Sequence, residues 1–376
     1  MFPHPITSIR DIITQGSLAR AKTETSGLHR YRLTLRTHAS RMKKLQRLEA
    51  LRGLAAIYVA ANHLYPGFLF GLRLGQEAVI LFFLLSGFVI EYSNSIRPVS
   101  SFRTYLTRRT VRIYVVLIPM FALVAALTQQ ELSRDFALQL VGNIFMLQDI
   151  GALKPNTLVE PLYANALWSL HYEWWFYMLF FPCSKTIPKL HQKHVVGAIA
   201  VVSATIYHLS LDPITRLLSY FSIWWLGAEM GRSFAANGRV VFADIKASCA
   251  WLMGVVAAFA LGVAISTNSD FDLSLGRHPV LEFRHAVSAI GIVTIALVWQ
   301  RNRWLGFGIL RPGALFAPIS YSIYICHQPL LVNATFLDGA LPQPVRFIAY
   351  LAILFSFCAL SELWLFPVIQ RRVRHA

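Results

Sequence analysis

Hydrophobic positions along this chain fall into long, nearly unbroken runs separated by short polar stretches. That is not the half-apolar periodicity of a soluble fold. Runs of about 15 to 22 residues, enough for an α-helix to cross a bilayer, begin near residues 53, 75, 112, 166, 195, 214, 248, 285, 313 and 345. The pattern predicts an all-α integral membrane protein of about ten transmembrane helices. Within residues 137–150 the segment LQLVGNIFMLQ is apolar but short for a crossing, and predicts a re-entrant or surface helix. The first run starts too late, and lacks a small-residue cleavage site, for a removed signal peptide, so it is expected to remain as a span.

Ahead of that run, residues 1–41 are polar and basic with no sustained apolar period, which predicts a disordered cytoplasmic arm. Met42 opens MKKLQRLEALRG, a second plausible start. The chain therefore divides into the arm, a transmembrane domain over residues 42–370, and a basic cytoplasmic tail, residues 371–376.

Composition narrows the class. Hydrophobic residues make up 56% and charged residues 14%, against about 25% charged in soluble domains, which excludes a single soluble domain. A net charge of +17 would ordinarily suggest nucleic acid. Here the positive charges sit in clusters between the apolar runs. With the N-terminus inside, 28 of the 35 Lys and Arg residues fall on the cytoplasmic side and 7 outside, as the positive-inside rule requires. The charge therefore reads as a topology signal: both termini cytoplasmic, a multi-pass protein of an inner or plasma membrane, lipid contacts and no nucleic-acid partner. The arm would be at most a weak tether to anionic lipid. Cys183, Cys249, Cys326 and Cys358 lie in or beside apolar runs without paired spacing and read as packing residues.

Ionisable residues inside spans are costly and so suggest function. Arg52 and His63 are eleven residues apart at the start and middle of the first span. Eleven residues turn a helix by about 1100°, which leaves both within about 20° of one face and about 16 Å apart along the axis. The plainer reading has Arg52 reaching lipid phosphates and His63 bonding another span. Pro66 is expected to kink this helix.

Other segments shift that balance. RLEALRGLAAIYVAANH is followed by FFLLSGFVI (82–90), RRTVRIY (108–114), WSLHYEWWFY (168–177) and YSIYICHQP (321–329). Together, from about residue 47 to 367, these resemble the integral-membrane acyltransferase family 3, whose members move acyl groups onto extracytoplasmic glycans. The resemblance implies that Arg52 and His63 form the family's basic-residue and histidine pair, with His63 essential. It also implies that Ser86, Gly87 and Phe88 form its SGF turn, Arg109 and Arg112 its Arg-x-x-Arg element, Glu173 its acid, and His327 the histidine near the penultimate span. Two departures stand out: Ile80 replaces an acidic residue usual before the FF pair, and the Glu-x-Pro ending survives only as a displaced Glu362 and Pro367, read as peripheral.

Acyl transfer to a hydroxyl needs a base for the proton and a means of steadying the oxyanion. A neutral buried His63 suits the base. Glu173 is expected at comparable depth, orienting His63 or binding the acceptor; its plainer reading is a carboxyl bonded to a neighbouring helix. Arg108, Arg109 and Arg112 cluster at the inner end of the third span, where the positive-inside rule alone places arginines. Guanidinium forks also suit phosphates. With the resemblance they lean to an acyl-CoA donor, acetyl-CoA first, although no Gly-rich nucleotide loop is present. Ser86 reads as a packing residue rather than a nucleophile. His327 and Tyr324 lie toward the outer end of the ninth span, lining the acceptor side or making structural hydrogen bonds. Glu229 and Arg232 read as a local ion pair. His63, His171 and His208 lack metal-ligand spacing, so no metal is expected. The expected acceptor is a glycan or lipid-linked sugar. The rival reading is a transporter or flippase using buried Arg, His and Glu as a relay, against which the chain shows no repeated halves.

Overall fold

The structure, a computed structural model, describes residues 27–66, 74–266, 273–302 and 307–375. Residues 1–26 of the expected arm, and Arg73 and Arg303 of the charge partition, lie outside the described residues. Among the described residues the chain is helical, with a single isolated bridge between Gln148 and Val159. The helices are α1 (Gly27–Leu64), α2 (Gly75–Ile96), α3 (Phe102–Leu127), α4 (Arg134–Ile144), α5 (Trp168–Thr186), α6 (Lys189–Ser210), α7 (Pro213–Asn237), α8 (Phe242–Ser266), α9 (Val280–Asn302), α10 (Phe307–Phe316), α11 (Ser320–His327), α12 (Gln343–Ala359) and α13 (Phe366–His375). A 3-10 turn, Ala317–Ile319, joins α10 to α11, and π turns follow α11 (Gln328–Val332) and α12 (Leu360–Leu365).

Among the described residues the ten stretches read as spans are largely helical, the ninth running across α10, the 3-10 turn, α11 and the π turn. Six segments among the described residues are long and apolar enough to cross a membrane: α2, α3, α8, Val280–Arg301, Leu310–Val332 and Gln343–Val373. Helices α1, α5, α6 and α7 fall outside that set. Three of these carry the buried Arg52, Glu173, Arg216 and Glu229, side chains that a bundle interior tolerates and a lipid-facing helix does not. The short α4, about 16 Å long at 1.5 Å per residue, leaves Leu138 and Val141 exposed while Phe136 and Asn143 are buried.

Residues 27–41 of the expected arm lie in α1; a helix held by packing further along propagates cheaply into a polar extension, since only nucleation is costly. One expectation is corrected. Pro66 does not kink α1, because the helix ends at Leu64. The residue before a proline is driven out of the helical region, so the helix stops ahead of it.

Glycines let two pairs of helices meet backbone to backbone. A Cβ on Gly87 of α2 would lie 2.0 Å from the Trp224 carbonyl oxygen of α7, and one on Gly227 of α7 would lie 2.1 Å from that of Leu84. Ser86 and Gly87 thus belong to a close helix crossing. Gly53 of α1 and Gly313 of α10 are matched in the same way, a Cβ on Gly53 falling 2.0 Å from the Gly313 oxygen. From there α1 and the α10–α11 segment run side by side in the same direction, Arg52 meeting Ala317 and His63 meeting His327.

The loop between α4 and α5 is fixed by buried charge. Asp149 accepts from Lys154 Nζ at 2.9 Å and pairs with Arg216 of α7 at 3.2 Å, while the Tyr172 hydroxyl donates to it at 2.7 Å. Lys154 also lies 3.8 Å from the centre of the Trp168 ring. Burial pushes the Lys154 amine down to about 8 against the pull of Asp149. For Asp149 burial works against ionisation, but Lys154 and Arg216 outweigh it and hold the carboxyl below the usual carboxylate range.

Candidate active site

The site is built where α1, α2, α5 and α11 converge. Arg52, Phe82, Phe83, Ser169, Glu173, Ser320, Tyr321 and Tyr324 line one cavity. Arg52 is buried and donates from Nη2 to the Ala317 carbonyl at 2.6 Å. Opposite it, Glu173 accepts from Ser86 Oγ at 3.0 Å and from the Tyr177 hydroxyl. The Trp224 indole in turn donates to Ser86 Oγ at 3.2 Å. Phe82 packs edge-on to Tyr324, ring centres 5.3 Å apart.

His63 lies above this cavity and its partner is His327. His63 Nδ1 is 3.0 Å from His327 Nε2 and 2.9 Å from the Val59 carbonyl oxygen. His327, fully buried, sets its own Nδ1 2.8 Å from the Tyr324 oxygen and 3.1 Å from that of Ile323. The eleven-residue spacing of Arg52 and His63 therefore puts both on the face of α1 that meets α10–α11.

Glu173 does not share the depth of His63. Helix α5 runs against α11: the Ala166 amide donates to Gln328 Oε1 at 2.8 Å, and Ser169 Oγ lies 2.8 Å from the Tyr324 hydroxyl. Four residues further along α5, Glu173 reaches the level of Tyr321, which is six residues, or about 9 Å, below His327. The hydrogen-bond partner of the His63 ring is His327, while Glu173 accepts from Ser86 and Tyr177. A pairing between histidines in helices 264 residues apart leaves no local spacing signal.

The three arginines of α3 differ in setting. Arg108 is exposed and Arg109 half-buried, with the Arg109 guanidinium 5.3 Å from the Tyr105 ring centre and 5.5 Å from that of Tyr177. Arg109 Nε is buried and has no hydrogen-bond partner among the described residues. Arg112 is buried in an ion pair with Glu362 and lies 5.0 Å from the centres of the Tyr321 and Phe366 rings. The π turn carrying Glu362 shows that this residue is not peripheral: it faces the bundle interior and neutralises Arg112. Glu229 and Arg232 form the expected local ion pair at 2.9 Å, and Glu91 joins Arg232 at 2.8 Å.

Arranged from the α3 end upward, the site offers arginine donors suited to phosphates, a small cavity between Arg52 and Glu173, and a paired imidazole above it. A family model described as an acyltransferase domain matches residues 45–363, most of the chain. BcsY of Komagataeibacter xylinus, named as a membrane-bound transacylase, is 25% identical over 313 residues, covering 77% of this chain and 74% of that protein. No solved structure matches the chain.

Proposed function

The chain belongs to the acyltransferase family whose model spans residues 45–363, and from that premise we propose that it transfers an acyl group, acetyl first, from acyl-CoA on the cytoplasmic side to a hydroxyl of an extracytoplasmic or lipid-linked glycan. The observation that carries this reading is the shared face of α1: Arg52 enters the cavity bounded by Glu173, and His63 stands above it with one ring nitrogen fixed by His327.

Arg109, half-buried, with the exposed Arg108 beside it, holds donor phosphates at the inner end of α3, where guanidinium charge suits them. Arg112, neutralised by Glu362, acts through the wall that Tyr321 forms. Arg52, about 16 Å along α1 from His63, lies too far away to share the reacting carbon, and its positive charge draws the anionic donor along that face of the helix. His63 takes the proton of the acceptor hydroxyl as its oxygen bonds to the thioester carbon; the carbon–sulfur bond then breaks and His63 returns the proton to the departing thiolate. Tyr324 and Glu173 shape the pocket in which this happens. The membrane is an inner or plasma membrane, with both termini in the cytoplasm and about ten crossings. The parallel run of α1 and α10–α11 supports that count, because the first and ninth spans of such a series point the same way.

The test is to incubate purified full-length protein with labelled acetyl-CoA, with and without cell-envelope glycan. The expected result is label on the glycan, lowered 10²- to 10⁴-fold in His63→Ala at near-normal acetyl-CoA binding, the usual range for loss of a general base. Near-normal turnover by a folded His63→Ala variant would remove His63 from the base role. Glycan uptake into proteoliposomes without label transfer would favour the transporter reading.

A further inference from the structure

The hydrogen-bond arrangement around His63 contains more than proximity. Every imidazole nitrogen needs either a proton facing an acceptor or a lone pair facing a donor. His327 Nδ1 faces only carbonyl oxygens, those of Tyr324 and Ile323 at 2.8 and 3.1 Å, so it carries the proton of a neutral ring. His327 Nε2 is then a lone pair. His63 Nδ1 faces that lone pair at 3.0 Å and the Val59 carbonyl at 2.9 Å, both acceptors, so it too carries its proton. A charged His327 donating from Nε2 would need a lone pair on His63 Nδ1, set against the Val59 oxygen. All four contacts are satisfied when His327 is neutral and both rings are protonated at Nδ1, which leaves His63 Nε2 as the one ring nitrogen of the pair outside these contacts.

From this we propose that His327 is a positioning residue: its Nε2 lone pair fixes His63 in the Nδ1–H form and so leaves the His63 Nε2 lone pair as the base. This deepens the acyl-transfer reading and rests on it for the word base, but the protonation pattern is a property of the resting protein. When His63 Nε2 takes the acceptor proton, the O–H bond breaks, the N–H bond forms, and the ring becomes an imidazolium whose Nδ1–H points at the His327 lone pair. That bond strengthens as charge develops, the way a triad's third member acts through its histidine. The His327 ring is seated for this by its own two carbonyl contacts and by complete burial. Tyr324, whose ring centre is 6.2 Å from that of His327, sets the same helical turn against the cavity.

The experiment uses full-length protein, labelled with ¹⁵N at histidine and reconstituted in lipid, with the His63 ring nitrogens assigned by difference from His63→Ala. Nitrogen chemical shifts distinguish a protonated from a bare ring nitrogen. The expected spectrum has His63 protonated at Nδ1 and bare at Nε2, a single form at neutral pH. A His63 bare at Nδ1 overturns the proposal whatever the activity shows. In His327→Phe, which keeps ring bulk and removes the acceptor, His63 should spread over both forms, and in His327→Gln, whose side-chain oxygen is again an acceptor, the single form should return. An unchanged His63 spectrum in His327→Phe also overturns it; if that variant does not fold, the wild-type and His327→Gln spectra decide. With acetyl-CoA as donor, kcat in His327→Phe should fall at least tenfold, with little change in the acetyl-CoA KM and with recovery in His327→Gln. Absence of label transfer by wild type, with His63 still protonated at Nδ1, would count against the acyltransferase mechanism and leave the positioning contact standing.

Discussion

Arg112 and Arg109, one helical turn apart on α3, have different chemical prospects. Arg112 is buried against Glu362, and breaking a buried ion pair by removing one partner leaves an uncompensated charge, at a typical cost of about 3–5 kcal/mol. Glu362→Gln should therefore lower the thermal midpoint of the detergent-solubilised protein markedly, whereas replacing both partners together, as Arg112→Met with Glu362→Leu, should recover most of the loss. Arg109 is half-buried over two tyrosine rings, so Arg109→Ala should leave the stability within about 1 kcal/mol of wild type and raise the acetyl-CoA concentration needed for half-maximal rate. A phosphate contact distant from the reacting carbon contributes mostly uniform binding, which moves KM more than kcat. If Arg109→Ala lost stability as Glu362→Gln does, with donor dependence unchanged, its place in donor binding would fall.

At the scale of elements, helices were legible in the sequence because apolar run length reports directly on a membrane crossing, and the Arg52–His63 face because helical rotation is fixed. What the sequence did not reveal is which helices exchange polar side chains. The His63–His327 contact, the Arg112–Glu362 pair and the Asp149 cluster each join residues of separate elements, and no periodicity within one helix encodes them. Glu362 gave a partial signal as a displaced acid, but the π turn that rotates it inward is a matter of helix register rather than composition. The Asp149 cluster makes the loop ahead of α5 a stiff strap across the end of α7. Asp149→Asn leaves Lys154 and Arg216 buried side by side, which predicts a loss of about 3–5 kcal/mol and faster proteolysis within residues 145–165. Protection of that loop equal to wild type would show that the ion pairs do not hold it.

For the whole molecule, the direction of the bundle in the membrane decides where donor and acceptor meet. The side-by-side course of α1 and α10–α11, with Arg52 opposite Ala317 and His63 opposite His327, requires an even number of crossings from the start of the first to the start of the other. Eight spans between those points satisfy this if α4 stays on one side, and α4 is too short to do otherwise, at about 16 Å against a core of about 30 Å. The charge partition, 28 Lys and Arg residues against 7, is the basis for the proposed absolute sense. The proposed topology predicts that the α2–α3 connection, with Arg108 just beyond it, faces the cytoplasm, and that Asp338, ahead of α12, faces outward. Single cysteines at these two positions, in a background with the four native cysteines replaced, should respond oppositely to an impermeant thiol reagent: Asp338→Cys reacting in intact cells, Arg108→Cys only after permeabilisation. Reaction of Arg108→Cys in intact cells would invert the bundle. The arginines proposed to hold acyl-CoA would then face the compartment where none is made, and the direction of transfer through the site would have to be abandoned along with the topology.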